Sequence, residues 1–169
     1  MVFGMSLETY TLIHVVISLI GIVSGLVVLF GMIGNKRLGG LTAVFLVTTV
    51  LTSLTGFGFP FKGVTPGIIL GILSLVVLAL SIAARYMFHT SGKWRFIYVI
   101  TAVVALYFNC FVLVAQTFQK KILHTTGPAS GPGFAATQGI VLSLFTVWGY
   151  LAVKNFHPEI KLVKDSKGT

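Results

Sequence analysis

The sequence predicts an all-α fold, a polytopic bundle of five transmembrane helices followed by a short basic tail. Three observations carry that reading. The chain is 56% hydrophobic and only 9% charged, where a soluble domain carries about 25% charged residues. Its apolar residues fall in runs of about 18 or more, the length that crosses a hydrocarbon core. The basic residues gather in alternate breaks between those runs, as expected of a protein oriented by positive charge on one side.

At 169 residues the chain makes one domain. The first span covers about 7–32. It does not read as a cleavable signal, because no basic segment precedes it, its apolar core exceeds the usual roughly 7–15 residues, and no A-x-A site follows. The break IGNKRLGG brings Lys36 and Arg37. The second span, about 41–59, is the shortest and the richest in hydroxyls, and it ends in GFGFPFKGVTPG. If it failed to cross, four spans would remain. Pro66 opens the third span, about 66–88, since a helix start has no use for the missing N–H. The turn HTSGKWR leads into the fourth span, about 96–118. QKKILHTTGPASGPG reads as a loop, and the fifth span covers about 134–153. Residues 154–169 form the tail.

Orientation follows from the cations. Lys36, Arg37, Arg85, Lys93, Arg95, Lys154, Lys161, Lys164 and Lys167 fall on one side, and Lys62, Lys120 and Lys121 on the other. Nine against three makes the first side cytoplasmic and the N-terminus extracytoplasmic. The net charge of +9 thus serves topology and contact with anionic lipid rather than nucleic acid, which would need a basic soluble face.

Helices in lipid associate through small residues and polar glue. Each span carries such a stripe: Tyr10, His14, Ser18, Gly21 and Gly25; Thr48, Thr52 and Thr55; Gly67, Gly71, Ser74, Ser81, Arg85 and His89; Ala102, Ala105, Asn109 and Gln116; Ala135, Gly139, Ser143 and Thr146. The stripes are expected to face inward. Two contain GxxxG, GIVSG and GIILG, read as packing within the bundle rather than as a dimer seam.

An ionisable residue inside a span marks a functional site by default. His14 is such a residue, and Thr52, Asn109, Gln116 and Gln138 share its extracytoplasmic half of the membrane. Together they form a candidate polar pocket for a quinone-like or other small amphiphile, because these side chains hydrogen-bond without placing a charge in lipid. The plainer reading is that His14 locks helices together. A haem would need a second axial histidine; His124 sits in a Gly/Pro-rich loop, and His89 and His157 lie on the other side, so His14 is a weak haem ligand. A second cluster, Arg85, His89, Lys93 and Arg95, is a candidate anionic-lipid or phosphate site, with Arg85 reaching to the headgroups and Trp94 as interface anchor.

What is missing narrows the function. No Asp or Glu lies well inside a span, Glu8 standing only at an edge, whereas proton- and cation-coupled carriers rely on such carboxylates. GxSxG, HExxH and phosphate-binding glycine loops are absent. The one cysteine, Cys110, allows neither an intramolecular disulfide nor a multi-cysteine metal site.

The segments FGFPF, ARYMFH, GKWRFIYV and ALYFNCFVLVAQTFQK resemble those of a group of small bacterial inner-membrane proteins to which no activity is attached. The resemblance implies a bacterial inner-membrane location and about five spans, and it draws attention to Arg85, His89, Arg95, Tyr107, Asn109 and Gln116. The function expected is that of an accessory subunit or small-ligand-binding bundle, working with a membrane-protein partner or as a homo-oligomer. An intramembrane electron-transfer protein and a small-solute permease are the alternatives.

Overall fold

The computed structural model describes residues 4–60, 63, 65–119 and 131–157. Five helices make up nearly all of it: α1 (Leu7–Ile33), α2 (Gly39–Gly56), α3 (Pro66–Ile82, continued by a π turn over Ala83–Met87), α4 (Lys93–Gln119) and α5 (Pro132–Asn155). All five are long and apolar enough to cross a membrane. The chain is an integral membrane protein. The test case is α2, whose 18 residues span about 27 Å at the α-helical rise, close to the ~30 Å of the hydrocarbon core. It is long and apolar enough to cross, which favours five spans over four.

Local chemistry sets the helix starts. Ser6 caps α1 by accepting the Thr9 N–H at 3.1 Å, and Thr65 caps α3 ahead of Pro66, as the missing proline N–H predicts. Pro132 opens α5 in the same way. Only α2 among these starts with neither a side-chain cap nor a proline.

The helices close a ring in sequence order, and α1 also meets α4 across it. Successive helices run in opposite directions. One end of the bundle, the His14 end, therefore holds the starts of α1, α3 and α5 and the finishes of α2 and α4. The opposite end, the Arg85 end, holds the loop between α1 and α2 and the turn between α3 and α4. The tightest packing lies from the middle towards the Arg85 end, around Leu29, Phe45, Leu78, Val99 and Leu106. A methyl group at Gly25 would lie 2.6 Å from Leu106 Cδ1 and 2.8 Å from the Phe45 ring. The first GxxxG is thus spent inside the bundle, against α2 and α4.

In α5 the stripe is reversed. Gln138, Phe145 and Ala152 are its buried face, while Ala135, Gly139, Ser143 and Thr146 point outward. The expectation that small and hydroxylated residues face inward fails here for a physical reason. Ser143 and Thr146 donate to the carbonyls of Gly139 and Leu142, both at 2.8 Å, so neither hydroxyl needs a partner on another helix.

Candidate functional site

At the His14 end the bundle opens. Between Leu7 and Ile20 only Tyr10 of α1 is buried. The polar and ring contacts that join α1 and its loop to α5 and the segment after it lie at the other end: Phe30 against Trp148, Asn155 on the Ile33 carbonyl and the His157 N–H on Asn35 Oδ1. In the space left between α1, α2, α3 and α4 is a cavity of about 430 Å³, within the roughly 300–1,000 Å³ of small-molecule sites.

The end of α2 builds its roof. Tyr10 donates its hydroxyl to the Thr55 carbonyl at 2.7 Å, clamping the start of α1 to the last turn of α2. Past that turn, Phe59 stands edge-on to both Tyr10 and His14, with centroids 5.1 and 5.2 Å apart. Phe57 fills the notch at Gly71, where a methyl group would come within 2.9 Å of its ring. Sequence reading missed both phenylalanines, because GFGFPF looks like a helix-breaking loop.

His14, Thr52, Asn109 and Gln116 all line this one cavity. Gln138 does not. Its amide turns to α4 and donates to the Phe111 carbonyl at 3.0 Å, and its Oε1 is buried without a partner among the described residues. α5 lies outside the four helices that enclose the space.

The hydrogen bonds fix what the cavity offers. The Thr55 hydroxyl lies 2.7 Å from the Leu51 carbonyl and 3.2 Å from that of Thr52, and a carbonyl can only accept its proton. His14 Nδ1 lies 2.8 Å from Thr55 Oγ1, and with the hydroxyl turned to a carbonyl it is the ring that donates. The neutral Nδ1–H tautomer fits this arrangement, and Nε2 makes no hydrogen bond among the described residues. Asn109 uses Nδ2 on Thr49 Oγ1 at 3.3 Å, which leaves Oδ1 as a second acceptor. Gln116, exposed at the rim, makes no hydrogen bond within the described residues and supplies both functions. No side chain lining the cavity carries a formal charge while His14 is neutral; the rest of the wall is apolar, including Leu70, Phe108 and Val112.

Its opening is lateral. Val15 and Leu19 of α1 and Leu113 of α4 line the cavity yet rank among the exposed apolar residues. That gap lies within the span, where the surroundings are hydrocarbon.

The members of the other predicted cluster have separate partners. Arg85 is buried at 6% exposure, its guanidinium carbon 5.2 Å from the centre of the Tyr98 ring. Arg95 donates Nη1 to the carbonyls of Val153 (2.8 Å) and Phe156, closing the end of α5. His89 and Lys93 stay exposed. His89 cannot share the Arg85 face, because the π turn ends at Met87 and His89 adopts φ +50° beyond it. Trp94 stacks on Phe88 with centroids 3.7 Å apart.

The haem reading finds one histidine at the cavity. His14 lines it, His89 and His157 belong to the opposite end, and His124 lies outside the described residues. Lys62, Lys120, Lys121 and the tail lysines Lys161, Lys164 and Lys167 also lie outside them.

Compared with protein-family models, curated proteins and solved structures, the chain matches none. The site must be read from its own chemistry.

Proposed function

We propose that the protein binds a neutral, lipid-soluble amphiphile whose polar end carries a hydroxyl donor, taken up sideways from the bilayer. The observation that carries this reading is a cavity lined by no Asp, Glu, Lys or Arg, in which His14 Nε2 has no hydrogen-bond partner among the described residues and, with Nδ1 donating to Thr55, serves as an acceptor. A quinone carbonyl would meet another acceptor at that nitrogen, whereas a quinol, phenol or alcohol would donate to it. Gln116 and Asn109 Oδ1 lie where a second polar group of the ligand would reach. The exposed gap between α1 and α4 suits a ligand that partitions into lipid. No carboxylate lines the cavity, which favours a binding or accessory role over catalysis.

The proposed setting is a bacterial inner membrane with the Arg85 end in the cytoplasm. All six cations among the described residues, Lys36, Arg37, Arg85, Lys93, Arg95 and Lys154, belong to that end, and short basic loops remain on the cytoplasmic side.

Thermal unfolding of the purified protein with a long-chain alkylhydroquinone and with its dimethyl ether tests the proposal. The hydroquinone stabilises more strongly, by about fivefold in apparent affinity for one hydrogen bond of ~1 kcal/mol. His14→Phe removes that preference while the protein remains folded. Equal effects of the two probes on the wild type, or a preference that survives in His14→Phe, would refute it.

A further inference from the structure

The Arg85 end holds a second feature, independent of the cavity. Arg85 is more than nine-tenths buried, and a cation taken out of water needs a counter-charge or a full set of acceptors. Its contacts among the described residues are two ring faces, Tyr98 at 5.2 Å and Tyr86 at 5.7 Å, and the Tyr98 hydroxyl beside it. No carbonyl or carboxylate among the described residues accepts from it. Glu8 is the one acid described, and it stands in the first turn of α1 at the opposite end.

The guanidinium is aimed at the start of α2. Its Nη2 lies 4.0 Å from where a side chain on Gly39 would begin. That start has no side-chain cap. The first helical bond closes at Thr42, whose N–H donates to the Leu38 carbonyl at 2.9 Å, so the amides of Gly39, Gly40 and Leu41 precede it without intrahelical acceptors. All three residues are exposed. Gly40 has open space where a side chain would stand. Lys36 and Arg37 immediately precede this turn. A helix start with free amides favours an anion, and here it is flanked by a guanidinium that meets no carboxylate among the described residues.

We infer that Arg85 and the first turn of α2 form an oxyanion site for a phosphate group, in which the guanidinium and the Gly39 and Gly40 amides donate to the phosphoryl oxygens. The same chemistry is offered by the headgroup of an anionic phospholipid and by free phosphate. The site lies at the membrane-interface end of its helices, within reach of either.

The test compares thermal unfolding of the full chain in phosphatidylcholine nanodiscs, in nanodiscs that also contain phosphatidylglycerol, and in phosphatidylcholine nanodiscs titrated with inorganic phosphate. The wild type is stabilised by phosphatidylglycerol, by phosphate or by both; lipid alone acting identifies a headgroup, and phosphate acting identifies a free anion. Arg85→Gln weakens the response by about tenfold or more in apparent affinity, the loss expected of charge-assisted bonds. Should Arg85→Gln not fold, Gly39→Pro decides, since proline fits a first helical position and removes one amide donor. Lys36→Gln serves as the surface-charge control and leaves most of the response in place. A response unchanged in Arg85→Gln, or in Gly39→Pro where that variant decides, would reduce the effect to diffuse surface charge and overturn the inference. So would a wild type indifferent to both additions. If Glu159→Gln alone destabilises the protein as Arg85→Gln does, the counter-charge is the chain's own and no phosphate is held there.

Discussion

Gly25 and Arg95 illustrate two opposite demands on single residues in a bundle that lipid surrounds. At Gly25 there is no room: a methyl group would lie 2.6 Å from Leu106 Cδ1. Gly25→Ala should cost about 1–3 kcal/mol, the usual range for overpacking, read as a lower unfolding temperature in detergent. Gly40→Ala, which meets nothing within 4 Å, should leave that temperature unchanged or slightly raised. At Arg95 the demand is for donors. Its guanidinium holds the carbonyls of Val153 and Phe156 at the end of α5, so Arg95→Ala should cost about 1.5–3 kcal/mol. Arg95→Lys should recover part of that loss, since one ammonium cannot reproduce the planar fork. The same position read from sequence alone looked like a lipid-facing cation. Charge and depth were legible, but the partner was not, because the carbonyls it meets lie about 60 residues downstream and carry no sequence signature.

At the scale of the element, α5 separates what periodicity reveals from what it conceals. Its existence and limits were legible, with a span expected over about 134–153 and a helix found at Pro132–Asn155. Its inward face was not. In lipid both faces of a helix are apolar, so periodicity does not distinguish a buried phenylalanine from an exposed one. Hydroxyl groups also mislead when the helix's own carbonyls satisfy them, as at Ser143 and Thr146. The consequence is measurable. Ser143→Leu should shift stability by less than about 0.5 kcal/mol, while Phe145→Ala should cost about 1–3 kcal/mol. The second value falls below the roughly 3–5 kcal/mol of a water-soluble core, because lipid removes the transfer part of the loss. The same limit explains Gln138: its azimuth turned it to the Phe111 carbonyl and not to the cavity. On α1, α2 and α4 the polar stripes converge, and there His14, Thr52, Asn109 and Gln116 meet at one cavity as their spacing implied.

For the molecule as a whole, five crossings leave the two chain ends on opposite faces. Reporter domains fused to the N- and C-termini should therefore show opposite accessibility in intact cells, with the C-terminal one cytoplasmic under the proposed orientation. The tight half of the bundle, from Gly25 to the Arg85 end, acts as the frame. The looser half, where α1 parts from α5, holds a roofed cavity with a lateral opening. Interhelical hydrogen bonds in membranes average only about 0.6 kcal/mol, so the Ser18–Thr52, Ser53–Ser74 and Asn109–Thr49 links shape this half more than they fasten it. A cavity of this kind is stabilised by what fills it. Native mass spectrometry of the intact protein, released from its own membrane in mild detergent, asks directly whether something does. The wild type should carry a bound neutral hydroxylated amphiphile, and Leu70→Trp, which places an indole in the cavity, should fold and carry none. A wild type that emerges bare, or an adduct retained equally by Leu70→Trp, would contradict the account.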